Sequence, residues 1–312
     1  MKRCWPGVTR RSSTEEGHIA TLATAAGSAA GEPEPGFELR GPATPPGVML
    51  RELWAARQLL VILARKDFYV RYRRTVLGVI WAVGVPLVQA VVLSVVFTHV
   101  VGIGRSYASS QQAYAVFLYS ALVPWNYLAN AGPSAATAIV DNVALAGKIY
   151  FPRALPVLVT AASAMYPFAI GIMLLLLMSL VVGSGIGVSF LLVFPGAALA
   201  VLLVVCVGLC LSALHVYFRD IRYIVMAVLS VGFYLTPIIY PLSRLSAHHH
   251  VLRTLIAMGP AAGPIEIFRA ATVGADSALT LAVVACGCWC VVFGGIGFWL
   301  QCRRDRVFVD LL

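Results

Sequence analysis

One stretch of this sequence limits the possible folds more than any other: residues 76–101 contain no Asp, Glu, Lys or Arg. A helix needs roughly 20 consecutive apolar residues to cross a bilayer. The segment just before it is basic and contains Arg65, Lys66, Arg71, Arg73 and Arg74 against one acidic residue, Asp67. Because basic residues beside a membrane span indicate the cytoplasmic side, we predict a first span that begins there.

The basic segment also has an apolar helical stripe. Its members are Leu53, Leu59, Leu60, Leu63 and Phe68. We therefore predict that residues 50–71 form an amphipathic helix lying along the inner membrane surface. An ordinary basic flank of a first transmembrane helix would give the same charges, and this alternative stays open. Residues 1–49 have no such periodicity and are predicted to be a disordered cytoplasmic tail.

Composition places the whole chain in the membrane class. Hydrophobic residues make up 60% of it, charged residues 12%, and the mean hydropathy is +0.87. A soluble domain cannot hide so much apolar surface, so we predict an all-α polytopic membrane protein. The net charge of +10 does not indicate nucleic-acid binding, because the arginines cluster at the ends of apolar spans and form no continuous basic face.

About six spans are predicted. They cover residues 76–101, 113–140, 154–182, 188–215, 223–240 and 277–300. An even number returns both termini to the cytoplasm, which agrees with the basic residues at both ends. Between the fifth and sixth spans, residues 251–258 and 265–271 are apolar but too short to cross. We predict two short re-entrant helices there, and a plain extracytoplasmic loop is the alternative.

No motif for chemistry on this chain stands out. The sequence has no Gly-x-x-x-x-Gly-Lys-Ser/Thr phosphate loop, and no acidic residue falls inside a predicted span. Cys286, Cys288 and Cys290 resemble a metal cluster, but alternate residues of a helix point to different faces. We therefore predict no catalytic residue, no metal site and no cofactor on this chain. Energy for active transport would come from another polypeptide.

The second span carries the strongest signal for a substrate. Tyr119, Asn126 and Asn130 fall on one helical face. The nearby aromatic residues are Tyr114, Phe117, Trp125 and Tyr127. Aromatic rings pack against the C–H faces of sugars and amides hydrogen-bond to hydroxyls, so the face is a candidate sugar path. An interfacial aromatic belt together with helix–helix hydrogen bonds is the equally open alternative.

Three motifs resemble those of a known family. Residues 65–81 with Pro86, residues 141–153 and residues 217–221 are similar, in order and spacing, to segments of the membrane subunits of type-2 ABC exporters for polysaccharides. The resemblance covers about residues 50–304, and we predict a transmembrane domain over residues 50–312. One departure is visible, because Gly259-Pro260 stands where the family usually has Asn-Pro.

The resemblance implies roles for individual residues and partners. The ATPase-coupling contacts would be Asn142, Lys148, Tyr150, Phe151, Arg153, Arg219 and Asp220. Arg71, Arg73 and Arg74 would meet lipid headgroups and the pyrophosphate of a lipid-linked glycan, although the positive-inside rule alone accounts for them equally well. The implied assembly is a homodimer with two copies of a separate ATPase that binds ATP and Mg²⁺.

The resemblance also implies a cargo, which would be an O-antigen, teichoic acid, capsule or actinobacterial galactan. Two other functions remain possible. One is a type-2 ABC permease for drugs or lipids. The other is a polyprenyl-linked-sugar glycosyltransferase, against which the lack of carboxylates in residues 102–112 counts.

Overall fold

The computed structural model describes residues 46–73, 80–100, 102, 111–142, 152–182, 187–242, 250–274 and 277–303. The chain divides into two units, residues 1–42 and 43–312, and all described residues belong to the second. All regular secondary structure in these ranges is helical. The predicted all-α class is therefore confirmed. The predicted domain boundary at residue 49 and the disorder before it stay predictions.

Two helices precede the spans. Helix α1 covers Pro46–Ala55 and α2 covers Arg57–Tyr72, with a turn at Ala56 where one helix over residues 50–71 was predicted. On α2, the stripe residues Leu59, Leu60, Leu63 and Phe68 are half-buried, and Ala64 is buried. Helix α2 packs against α5, which covers Leu155–Val182. The apolar stripe therefore faces the protein at least in part, and its contact with a membrane surface stays a prediction.

Each predicted span has a helical counterpart. Besides α5, these counterparts are α3 at Ile80–Val95, continued by a π-helical turn at Val96–Val100, α4 at Gln111–Asp141, α6 at Val193–His215 after a 3₁₀ turn at Val188–Leu192, α7 at Ile221–Leu235 and α10 at Leu279–Arg303. Among the described residues, three segments are each long and apolar enough to cross a bilayer: α5, α6 with its 3₁₀ turn, and α10. A bent pair of shorter helices, Val251–Ala257 and Ala262–Thr272, reaches that length only when it is counted as one span.

Helix α7 ends earlier than the predicted fifth span. It stops at Leu235, and Thr236 is extended with ψ 143°. The cause is Pro237, because its ring excludes the helical conformation from the preceding residue. Residues 236–240 form an irregular turn instead.

The segment before the last span contains the two short helices that were predicted. Helix α8 covers His250–Ala257 and α9 covers Ala262–Thr272, with a bend of 93° between them. Every residue of α9 is buried, and this helix packs against α4, α6 and α10. Gly263 allows the close approach to α10, since a Cβ here would lie 2.6 Å from the Cβ of Cys286.

The helix contacts define two ends of the bundle. At one end, which we call the capped end, Tyr114 of α4 and Arg269 of α9 both contact the turn at residues 236–240. At the opposite end, which we call the wedge end, Ile139, Ala213 and Leu300 pack together near the ends of α4, α6 and α10. The start of α5 and the middle of α2 line a cavity there beside Asn142.

Candidate functional site

Three polar residues lie on the part of α4 that is not fully buried, whereas Ser120 and Thr137 of the same helix are buried. Asn130 is exposed and Asn126 and Ser134 are half-buried, whereas residues 116–125 are buried. Asn126 Nδ2 donates to the Leu122 carbonyl at 2.8 Å, and Asn130 Nδ2 donates to the Asn126 carbonyl at 2.7 Å. These amide donors therefore bond within their own helix. Each amide keeps a carbonyl oxygen that can accept a hydrogen bond.

A small cleft lies beside this stripe. Tyr119, Asn126 and Asn130 line it from α4, facing Pro86 of α3 and Phe168 of α5. Its cavity volume is about 40 Å³. A cavity needs about 10–15 Å³ on this measure to hold one water, so the cleft has room for only a few waters and is too small for a sugar ring. A path for a glycan would have to be completed by something outside the described part of this chain.

The other aromatic residues of the predicted path pack inside the chain. Tyr127 is buried, and its hydroxyl donates to the Ala161 carbonyl at 3.1 Å while its ring stacks on Phe168. Trp125 is buried against Phe233 of α7, with ring centroids 5.9 Å apart. These contacts join α4 to α5 and α7.

Tyr114 and Phe117 meet an unexpected partner. Both are buried and their rings stack 5.7 Å apart. The Arg269 guanidinium lies 4.1 Å from the centroid of the Phe117 ring, and the Tyr114 hydroxyl donates to the Ile239 carbonyl at 3.0 Å. The structure thus separates the predicted path residues into two amides at the surface of the chain, Asn126 and Asn130, and five aromatic residues in its interior, among which Tyr119 is 0% exposed. Their role in transport stays a prediction.

The described residues of the predicted ATPase-coupling set lie at the wedge end. Asn142 follows α4, and its Nδ2 donates to the Ala138 carbonyl at 2.8 Å. Arg219 and Asp220 are exposed in the turn between α6 and α7. Arg153 is half-buried just before α5. The structure therefore brings four of the predicted contacts to one end of the bundle, whereas Lys148, Tyr150 and Phe151 lie outside the described residues.

The arginines of the predicted headgroup site are exposed where the structure describes them. Arg71 lies 3.8 Å from Asp67, and the Arg73 guanidinium lies 5.4 Å from the centroid of the Tyr69 ring. Arg74 lies outside the described residues. Asp67 also accepts a hydrogen bond from Ser163 Oγ of α5 at 2.6 Å. Helix α2 is thereby fastened to the bundle next to the arginines.

Sequence reasoning missed one charged group in the interior. Glu266 and Arg269 of α9 are 1% and 3% exposed, and Arg269 Nη1 lies 3.0 Å from Glu266 Oε1. In the sequence, Glu266 lies outside the predicted spans, in the predicted short helix over residues 265–271, and the structure buries it among helices. The signal was available, since the two opposite charges stand three residues apart in an apolar segment, where they share a helical face.

The cysteines of α10 point in different directions, as their spacing predicts. Cys286 and Cys290 are buried, with Cys286 packed close to Gly263 of α9, and Cys288 is exposed. Among the described residues, no group of three His, Cys, Asp or Glu side chains is arranged to hold a metal ion.

Comparison with known proteins gives consistent matches. The family described as ABC-2 type transporter matches residues 58–273. The O-antigen export system permease protein RfbA of Myxococcus xanthus is 29% identical over 199 residues, which cover 63% of this chain and 74% of the relative. A protein of the same name from Klebsiella pneumoniae is 28% identical over 183 residues, covering 58% of this chain and 68% of the relative.

Proposed function

Because this chain belongs to the ABC-2 type transporter family, in which it is a transmembrane permease subunit, we propose that it exports a lipid-linked polysaccharide across the cytoplasmic membrane. The cargo is O-antigen-like or a cell-wall galactan. Two relatives named as O-antigen export permeases support the class of cargo.

The proposed assembly contains a second copy of this chain and a separate ABC ATPase that supplies ATP and Mg²⁺. The 40 Å³ cleft beside the polar stripe supports the second copy. The cleft within one chain is too small for a sugar, so a path along this side of α4 would need a second chain to form its other wall. The exposed turn at Arg219 and Asp220 supports an ATPase contact at the wedge end.

The polar stripe of α4 is the observation that carries the proposal. Amides in hydrocarbon are costly unless they face a partner or a cavity. Asn126 and Asn130 direct their donors to their own helix, so helix–helix hydrogen bonds do not explain these contacts. A path for a polymer must let the cargo slide, and scattered acceptor oxygens suit a cargo rich in hydroxyl groups. In this conformation the buried rings of Tyr114, Phe117, Trp125 and Tyr127 contact the protein, so we place the path along the stripe.

Replacing both amides tests this proposal. Asn126→Leu combined with Asn130→Leu should impair glycan export in a complemented deletion strain. The yield of intact complex after detergent extraction and its basal ATP hydrolysis should stay close to native. Amides that pack helices would instead cost about 0.6 kcal/mol per bond in assembly.

Two results of this experiment would contradict the proposal. Normal export would place the path elsewhere, and a loss of export that merely follows the loss of complex would make the stripe structural. Export of hydrophobic compounds in place of glycan by the native complex would favour a drug or lipid permease.

We further propose that the wedge end and both termini face the cytoplasm, because the basic residues concentrate there. A cysteine in place of Lys148, in a background lacking reactive native cysteines, should react with a membrane-impermeant maleimide only after the cells are permeabilised. Labelling in intact cells would reverse the orientation.

A further inference from the structure

We propose that Arg269 is a positioning residue that fastens the turn at residues 238–240 to helix α9, so that α7, α9 and the start of α4 move as one body during transport. This inference rests on the proposed function, because it assumes that the chain goes through an ATP-driven transport cycle. It adds a residue and a mechanical role that the function alone does not imply.

The hydrogen bonds of the turn are the first argument. Arg269 Nη2 donates to the Ile238 carbonyl at 2.8 Å, and Nη1 lies 3.3 Å from the Tyr240 carbonyl. The carbonyl between them, that of Ile239, accepts from the Tyr114 hydroxyl at 3.0 Å. Side chains from α9 and α4 thus bind three successive carbonyls of a non-helical segment. Irregular backbone at membrane depth is tolerated only when protein covers its polar groups, so this segment depends on these side chains.

The cost of the charges is the second argument. Arg269 is 3% exposed, Glu266 is 1% exposed, and their closest atoms are 3.0 Å apart. Replacing a buried ion pair with apolar side chains of similar size is often neutral for stability. Stability alone therefore does not require charged side chains at these two positions. A guanidinium differs because its planar fork can bond to a carboxylate and two carbonyls at once in a fixed geometry.

The surroundings of α9 are the third argument, because they make it a firm anchor. Trp289 Nε1 of α10 donates to the Met258 carbonyl at 2.8 Å, just before α9. Ile267 and Phe268 pack so closely on α6 that a Cβ on Gly196 would lie 2.9 Å from Ile267. Helix α7, in contrast, is exposed along much of its length. Arg269 therefore ties the turn after a largely exposed helix to a helix that is held from several directions.

A distance measurement tests this mechanical role. Spin labels replace Val228 of α7 and Val273 after α9, which are 64% and 54% exposed. Val228 lies seven residues before the end of α7 at Leu235, or about 10 Å along the helix axis, so the pair reports a tilt of α7 relative to α9. Labelled chains are diluted with unlabelled chains in the full complex with its ATPase, in a background lacking reactive native cysteines. Distances are recorded with and without ATP, beside glycan export per ATP hydrolysed.

Three variants are compared with the native chain. Arg269→Met with Glu266→Met removes the carbonyl bonds without leaving an unpaired charge. Arg269→Lys keeps the charge beside Glu266 but replaces the planar fork with a single point of contact. Thr272→Val is the matched control, because Thr272 is also buried on α9 but its hydroxyl donates to Phe268 and Arg269 of its own helix.

We expect one narrow distance, unchanged by ATP, in the native complex and in the Thr272 control. The double methionine variant should broaden the distribution or make it depend on ATP, and should lower export per ATP by about fivefold or more. The lysine variant should shift both readouts in the same direction, and it decides the question if the double variant does not assemble.

Narrow, unchanged distances together with native export per ATP in an assembled variant would overturn the proposal. Distances that behave as expected in a native complex that exports no glycan would instead refute the proposed function. The two failures are therefore distinguishable.

Discussion

The capped end and the wedge end of the bundle differ in whether their charged side chains are buried or exposed. At the capped end, Arg269 and Glu266 are buried and bonded to each other, and the guanidinium also binds backbone carbonyls. At the wedge end, Arg219 and Asp220 are exposed, and a cavity of about 190 Å³ separates parts of α2 and α5. The described part of one chain thus satisfies its charges at the capped end and leaves them accessible at the wedge end.

This difference leads to different expectations for substitutions at the two ends. A buried charge must find its bonds within the protein, since water is not there to replace them. Exposed charges cost little in isolation and remain available for a partner. We therefore expect substitutions at the capped end to affect folding of the chain itself, and substitutions of exposed wedge-end charges to affect assembly or regulation.

The largest expected effect compares the two acidic residues that pair with arginines. Glu266→Gln leaves the Arg269 charge buried without its counter-ion, which should cost about 3–5 kcal/mol of stability. Asp67→Asn weakens a pair whose side chains are 42% and 38% exposed, so it should cost about 0–1 kcal/mol. The measurement is the apparent melting temperature and yield of the purified complex.

Asp67→Asn also serves as the control for that experiment, because its amide oxygen can still accept from Ser163. Equal losses of stability for the two variants would mean that the capped end is no more dependent on its ion pair than the exposed surface is.

A smaller effect is expected from two glycines. Gly263→Ala places a methyl group 2.6 Å from the Cys286 Cβ and 2.9 Å from the Ala282 carbonyl, and should cost about 1–3 kcal/mol through overpacking. Gly295→Ala, on α10 nearer the wedge end, meets nothing within 4 Å. It should be neutral or stabilise slightly, because Ala favours a helix over Gly.

Thermal unfolding of both variants in the same detergent measures the contrast. A native melting temperature for Gly263→Ala would show that α9 shifts easily and would weaken the description of it as an anchor.

Sequence patterns were most informative where a signal lies within one segment. Apolar length predicted the helices now seen as α5, α6 and α10, and the breaks at Gly259 and Pro260 predicted the two short helices α8 and α9. Extending the fifth span to residue 240 was wrong because apolar length outweighed Pro237, whose effect on Thr236 is local and was available from the sequence.

Contacts between distant segments were beyond those patterns. Tyr114 and Phe117 had the residue types of a sugar path, but their partners, the Ile239 carbonyl and Arg269, lie more than a hundred residues away in the chain. Whether an aromatic ring on α4 faces a cargo or an arginine depends on where α9 packs, and no periodicity of α4 contains that information. Asn126 and Asn130 could be chosen from the sequence as candidate path residues, because an amide in an apolar helix is costly unless it has a partner or faces a cavity. Their role in transport stays a prediction.

The complete burial of α9 has a consequence for biogenesis. The chain is synthesised from its N-terminus, so α9 leaves the ribosome before α10. Yet α10 supplies the Ala282 and Cys286 surface against which Gly263 packs, and the Trp289 indole that binds the Met258 carbonyl. Until α10 is inserted, α9 and the residue Met258 before it lack these contacts. We therefore expect the packing of α8 and α9 to be completed only after α10 has been inserted.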